Sequence, residues 1–482
     1  MVWTDLWSLI NQTLDTSQFK NPHPATEILL EVQKDIRRAF HQFRQLIEMR
    51  RLPLEALPDA LPDAIDVEKH VICTYYARLP PFLDAKELAM GAAVEQSTGT
   101  WTLVPGETAA VRKRHVAKVI GVYETPQYEF SLPSDLERRH YIIQIAFPWE
   151  NFGQQIPMLL STVIGNISLG PIKCLDMRFP KSWLKGFKGP KFGVKGLRRL
   201  LGVKKRPFVN NMIKPCVYTS AKMGADLCYQ AAVGGADIIK DDELLADPSF
   251  NTLEERIPLF MEAIDKADAE KGEKTLLTIN ITDSVPKLFE NAEKAIELGT
   301  NGLMINFLAV GYSAFRHVCE DPSINVPVLA HMDVTGAISY APNIGIGTNI
   351  VIGKLPRICG SDITVFPAPY GKAPMLKERF LLMAHDMIMP LHHIEQTAPM
   401  PSGGISPGHV HEVIDDLGPD IVIGTGAGIH AHPDGPTAGA KAFRQAIDAK
   451  MSESSVKKAA IEHEELQKAL DSWGTGRTGF DL

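Results

Sequence analysis

Residues Gly234–Leu245 read GGADIIKDDELL. A glycine pair, a short apolar run and an abrupt change to Lys240-Asp241-Asp242-Glu243 describe a buried strand ending in a charged turn. Alone, such a run is compatible with an exposed charged loop; its neighbours give it meaning. Upstream stands FVNNMIKP (208–215). Downstream come LLTINIT (276–282), GLMINFL (302–308), VPVLAHMD (326–333), DITVFPA (362–368), MPSGGI (400–405) and DIVIGTG (420–426). Segments of helical period separate them, among them SAKMGADLCYQAAVGG (220–235), PKLFENAEKAIELG (286–299) and GHVHEVIDDLG (408–418). Eight strands alternating with helices over about 240 residues match a (β/α)8 barrel. A doubly wound open sheet competes, but it usually has fewer strands and a glycine fingerprint after the first, which is absent here.

Outward from the barrel the pattern changes. HVICTYYARL (70–79), HVAKVIGVYE (115–124) and HYIIQIAFP (140–148) are short and rich in β-branched and aromatic residues. With the apolar helical segment PMLLSTVIGNI (157–167) they predict an α+β domain over 66–184. Residues 1–65 read as a helical extension broken by the three prolines of LPLEALPDALPDA. A basic stretch at 185–205 reads as a solvated linker and helix face. The barrel is expected over 206–450 and a charged helical tail over 451–482.

The 482 residues suffice for two domains, and 45 % hydrophobic with 22 % charged residues is the profile of a globular protein. A net charge of −7 argues against nucleic acid as the main partner. Six cysteines without CxxC pairing suggest reduced thiols in a cytoplasmic protein. No apolar run is long enough to span a bilayer, so no membrane association is expected.

In such barrels, catalytic groups sit just past the C-terminal strand ends. Those ends carry Lys214 after the first strand, Lys240 with Asp242 and Glu243 after the second, and Asn306 on the fourth. His331 and Asp333 follow on the fifth, and Lys372 in the loop after the sixth. Ser402-Gly403-Gly404 and Gly424-Thr425-Gly426-Ala427-Gly428 follow the seventh and eighth. Two carboxylates beside a lysine suit a hard divalent cation such as Mg2+, provided CO2 converts the lysine to an anionic carbamate. The glycine turns suit a phosphate, held by backbone N–H groups. Together they imply a phosphorylated ketose or polyol. His331 reads as a core histidine, and His392, His393, His430 and His432 lack a partner set for zinc.

These motifs resemble the RuBisCO large-chain superfamily. GGADIIKDDELL resembles its metal-site motif, whose lysine is carbamylated. MIKP with Lys214 resembles the strand carrying the base that forms the enediolate. SGG (Ser402–Gly404) and GTGAG resemble its phosphate cradles. STGTW (97–101, with Thr100 and Trp101), preceded by Glu95, and GNI around Asn166 resemble motifs that complete a neighbouring subunit's site. GKLPRICGSDITVFPAPYGK (353–372) is similar to the RuBisCO-like (form IV) proteins in particular, with Lys372 at the place of the mobile-loop lysine. VFPAPYGK, and LAH followed by Gly336-Ala337, resemble the 2,3-diketo-5-methylthiopentyl-1-phosphate enolases of methionine salvage. The resemblance covers roughly residues 70–450. It implies a C-terminal (β/α)8 TIM barrel preceded by an N-terminal α+β ferredoxin-like domain, and at least a homodimer.

The departures bear on function. Carboxylases have a second lysine at the place of Cys216, and a His-Arg pair where Met332 and Asp333 fall. Losing the arginine and gaining an aspartate disfavours a bisphosphate but leaves a monophosphate plausible. The salvage enolases use a lysine where Asn166 stands, which moves the base to Lys214. The expectation is therefore an Mg-dependent enzyme that forms an enediolate without fixing CO2, with isomerisation, enolisation and decarboxylation all open. A genuine carboxylase and a non-catalytic scaffold of the same fold are the alternatives.

Overall fold

The computed structural model describes residues 52–99, 104–218, 220–372 and 375–476. The chain forms two compact units. One holds the described part of Met1–Asp66 with Arg78–Asn151; the other holds Val67–Ala77 with the described part of Phe152–Leu482.

Strands β1 (His70–Leu79), β2 (Lys118–Glu124), β3 (Arg139–Pro148) and β4 (Ile172–Arg178) follow one another with helices Ala85–Glu95 and Ile156–Val163 between them. Helix Ala109–His115 also stands between β1 and β2, so the order is the ferredoxin-like β-α-β-β-α-β with one added helix. In the first unit β2 and β3 pair antiparallel, Val122 opposite Ile143. In the second unit β1 pairs antiparallel with β4, with a register shift between Thr74 and Tyr75. Strand β4 (IKCLDMR) was not expected: its half-buried polar residues blur the alternation that marks a strand.

The barrel strands are β5 (Phe208–Met212), β6 (Ile238–Lys240), β7 (Leu276–Asn280), β8 (Leu303–Asn306) and β9 (Val328–His331). After a two-residue strand β10 (Gly345–Ile346) come β11 (Ile363–Pro367), β12 (Ala398–Ser402) and β13 (Val422–Thr425). Their order is β12-β11-β9-β8-β7-β6-β5-β13, the cyclic sequence of a (β/α)8 barrel. The paired strands run parallel. The ends of this order meet at Gly424, where a Cβ would stand 3.0 Å from Pro401 O and 2.9 Å from Met400 Cε. A side chain there would hold β13 off β12.

Crossover helices start where the sequence supplies caps. Ser220 accepts from Met223 N and Thr252 from Glu255 N, each cap contributing about 1 kcal/mol. Phe208, Met212, Ile238, Leu276, Met304, Leu329, Ile363, Met400 and Val422 form one buried cluster, to which helix Gly193–Leu201 adds Val194, Leu197 and Leu201. Stretch 185–205, expected as a solvated linker and helix face, thus also sends one apolar face into the barrel core. Asp362 fixes it there by accepting from Phe192 N at 2.7 Å and Gly193 N at 2.9 Å. Most of the basic residues that suggested a linker are exposed, while Arg198 lies over the Phe208 ring. Among the described residues, no helix is long and apolar enough to cross a membrane.

Candidate active site

Parallel register brings Lys240 opposite Met212 of β5 and Thr278 of β7. The lysine is fully buried. Its Nζ donates to Asp241 O at 2.7 Å and to Glu243 Oε2 at 2.9 Å. Beyond β5, Lys214 reaches across so that its Nζ stands 2.5 Å from Asp242 Oδ2 and 3.0 Å from Cys216 Sγ. Asp242 is buried, and its Oδ1 accepts from Leu244 N at 3.1 Å. Each of the two carboxylates therefore carries a lysine ammonium.

The charged turn is pinned from below. Asn280 Nδ2 donates to Asp242 O at 3.1 Å and Glu243 O at 3.3 Å, and Asn306 Nδ2 donates to Glu243 O at 3.0 Å. Asn306 Oδ1 is buried and has no hydrogen-bond partner among the described residues. His331 Nε2 stands 3.4 Å from Glu243 Oε2, while its Nδ1 lies 2.8 Å from Asp333 Oδ2. Burial alone would raise the Glu243 carboxyl, but Lys240 and His331 more than reverse it and hold it at about 2.

Lys214 departs from the neutral lysine that its sequence suggested. Burial lowers it, yet hydrogen bonds to Asp242 and Cys216 and the charges of Asp242 and Glu243 raise it overall. In this state it is an ammonium. Asp241, central in the KDDE run, faces away: Arg256 bonds it at 3.0 Å and Tyr218 OH donates to it at 3.1 Å. Burial nevertheless raises its carboxyl. This is a structural pair behind the turn.

The pattern of the ribulose bisphosphate carboxylase large chain catalytic domain matches residues 193–373 and 385–473, and that of its N-terminal domain matches 62–183. The chain belongs to the RuBisCO large-chain family. It is 56 % identical over 420 residues to a ribulose bisphosphate carboxylase-like protein of Archaeoglobus fulgidus, covering 86 % of this chain and 96 % of the relative. It is 35 % identical to the 2,3-diketo-5-methylthiopentyl-1-phosphate enolase of Geobacillus thermodenitrificans, covering 84 % and 98 %. Among solved structures, a RuBisCO-like protein from Alicyclobacillus acidocaldarius matches with a TM-score of 0.78 at 33 % identity, covering 84 % of this chain and 100 % of that one. The octameric RuBisCO of Pyrococcus horikoshii matches with 0.79 at 32 %, covering 88 % and 97 %.

Around this RuBisCO-family cluster the glycine turns close in. Gly403 and Gly404 adopt φ of 110° and 94°, conformations that favour glycine. A Cβ on Gly371 would lie 1.8 Å from Gly403 O, and Lys372 N donates to that oxygen at 3.0 Å. The loop after β11 is thereby laid on the loop after β12, with Lys372 exposed. Lys214 lies across Gly426, where a Cβ would stand 3.0 Å from its Cε. The hydroxyl of Thr425 is committed to Ile405 O, and among the described residues Ser402 Oγ meets only Met212 Sδ, at 3.8 Å.

Asn166 opens an exposed 3-10 turn and Glu95 ends helix Ala85–Glu95. Thr100 and Trp101 lie outside the described residues. His331 is a buried, satisfied histidine as expected, but its pairing with Asp333, and through its other nitrogen with Glu243, is the relationship that sequence reading missed. The i, i+2 spacing of His331 and Asp333 at a strand end was the available signal.

Proposed function

We propose that this chain is a RuBisCO-like enzyme that forms an enediolate from a phosphorylated ketose or keto acid, with Mg2+ and a Lys240 carbamate, and does not fix CO2. The observation that carries the reading is the pairing of Lys214 with Asp242 and of Lys240 with Glu243 at one barrel rim.

Asp242 and Glu243 offer the oxygen ligands that magnesium takes. Among the described residues, no three His, Cys, Asp or Glu side chains group to hold one, so Asp242 and Glu243 are one anion short. A carbamate on Lys240 supplies it and removes the ammonium from Glu243. The unpartnered oxygen of Asn306 adds a further hard acceptor beside the turn. When bound, magnesium would polarise the substrate carbonyl as a Lewis acid.

The chain's own groups do the rest. Once Asp242 is engaged elsewhere, Lys214 loses one of the contacts that raise it, leaving Cys216 and Glu243 against burial, which favours its neutral form. It can take a proton from the carbon next to the ketone. Turns 402–404 and 424–426 would hold the phosphate, with Lys372 covering it. Glu95, Thr100, Trp101 and Asn166 would complete the site of a partner copy in a homodimer or higher homo-oligomer. A dimeric RuBisCO from Hyperthermus butylicus and the octameric one above support that reading. A screen of phosphorylated ketoses and β-keto acids with magnesium and bicarbonate, read by solvent-deuterium incorporation and CO2 release, tests it. It would separate isomerase, enolase and decarboxylase outcomes.

Carboxylation is the second reading. Cys216, which accepts from Lys214, and Asp333, which is bound to His331, occupy places where a carboxylase has cations. Radiolabelled bicarbonate with ribulose bisphosphate should give no acid-stable product. Incorporation would favour the carboxylase.

A further inference from the structure

One face of the β2–β3 pair in the first unit carries a cavity of about 520 Å3, within the size range of small-molecule pockets. Its floor is set by register. Tyr141 of β3 lies opposite Glu124 of β2, and Arg139, two residues before Tyr141, shares its side of the sheet. Arg139 grips Glu124 with Nε at 2.5 Å and Nη2 at 2.7 Å, and its guanidinium lies 5.4 Å from the centre of the Tyr141 ring. Residues 81–86, which open helix Ala85–Glu95, form one wall, where Phe82 is 68 % exposed. Two polar groups of this cavity lack partners. Tyr141 is only 4 % exposed, yet its hydroxyl bonds to no described residue and is still reached by solvent. Burial raises its phenol, which therefore stays protonated and can donate. Arg139 Nη1 reaches Pro81 O only at 3.5 Å, which leaves its second N–H without an acceptor among the described residues. The charges, by contrast, are matched. Arg139 is engaged by Glu124, and Lys86 by Asp59 at 2.8 Å. Asp84 Oδ1 caps the positive end of the helix by accepting from Lys86 N and Glu87 N.

We infer that this cavity is a binding site for an uncharged ring compound that carries a carbonyl or amide oxygen. The oxygen accepts from Tyr141 and Arg139, while the ring covers the exposed face of Phe82. A carboxylate in its place would stand beside Glu124 and Asp84, and an ammonium beside Arg139 and Lys86. Neither ion finds an unmatched opposite charge to repay its lost hydration. None of these residues has a part in the enolisation reading, so the two stand or fall separately.

Three probes with one ring and three charges test it: benzamide, benzoate and benzylammonium. Each is titrated into the full chain without magnesium or bicarbonate, and binding is followed by ligand-observed NMR. Benzamide should bind saturably and at least about tenfold more tightly than either ion. Tyr141→Phe, which keeps the ring and loses only the hydroxyl, should weaken benzamide by about tenfold, the scale of one hydrogen bond to a buried group. Phe82→Ala, at an exposed position, should weaken it too while leaving thermal stability unchanged, which guards against misfolding of the first variant. Tighter binding of benzoate or benzylammonium would overturn the inference, as would benzamide that fails to saturate. Benzamide affinity unchanged in either variant would put its binding elsewhere and overturn the inference equally.

Discussion

Lys214 Nζ stands 2.5 Å from Asp242 Oδ2, joining the loop after β5 to the turn after β6 by one ion pair. Asp242 is fully shielded, so removing its cation leaves a buried carboxylate unpaired. Lys214→Met should lower the stability of the metal-free protein by roughly 1–3 kcal/mol, discounted because the lysine is partly exposed. Magnesium with bicarbonate should restore stability more in the variant than in wild type. Thermal denaturation with and without the metal measures both. Proton exchange into substrate should fall by about 100-fold or more.

Glu243 gives a pH prediction. Its folded value of about 2 lies below its ordinary 4.5, so it contributes stability above pH 4.5. That contribution is lost as pH falls from 4.5 toward 2. It amounts to ~3 kcal/mol at most, less for its partial exposure. Urea unfolding of metal-free protein between pH 5 and 3 should therefore be less acid-sensitive in Glu243→Gln. Equal slopes would contradict the assignment.

Asp333 acts through His331, which it holds at 2.8 Å on the side away from Glu243. Substituting Asp333→Asn removes the charge but keeps the shape. The fold should survive, while magnesium affinity falls by about 10–100-fold, the range for residues that orient a metal's ligands. Calorimetric titration checks this. An unchanged affinity would make the pair purely structural.

Gly371 tests the loop contact. An added methyl would sit 1.8 Å from Gly403 O, so Gly371→Ala must push the loop after β11 off the Gly403-Gly404 turn. Inorganic phosphate should bind roughly tenfold more weakly, about 1.4 kcal/mol. Wild-type affinity would show that the turn holds its shape without that packing.

Much of this was legible because strands and turns leave local signatures. Apolar runs ending in Lys214, Lys240 or His331 announced barrel strands, and the glycines of 402–404 and 424–426 announced turns. Strand β4 was hidden by its polar alternates. Stretch 185–205 read as a linker and solvated helix face; that helix Gly193–Leu201 also has a buried face was hidden because basic residues dominate the composition, although Val194, Leu197 and Leu201 keep helical spacing. That charged residues stand at the strand ends was readable, but their pairing was not. Nothing local says that Lys214 lands on Asp242, that Asp241 turns to Arg256, or that His331 bridges Asp333 and Glu243. Those relationships depend on register between strands far apart in sequence.

The central claim is that Lys240, with Asp242 and Glu243, builds the metal site on which enolisation depends. Proton NMR of a phosphorylated ketose in D2O, with magnesium and bicarbonate, tests it most directly. Wild type should exchange the proton beside the ketone for deuterium only when magnesium is present, and Lys240→Ala should not exchange it at all. Undiminished exchange by Lys240→Ala would contradict the account.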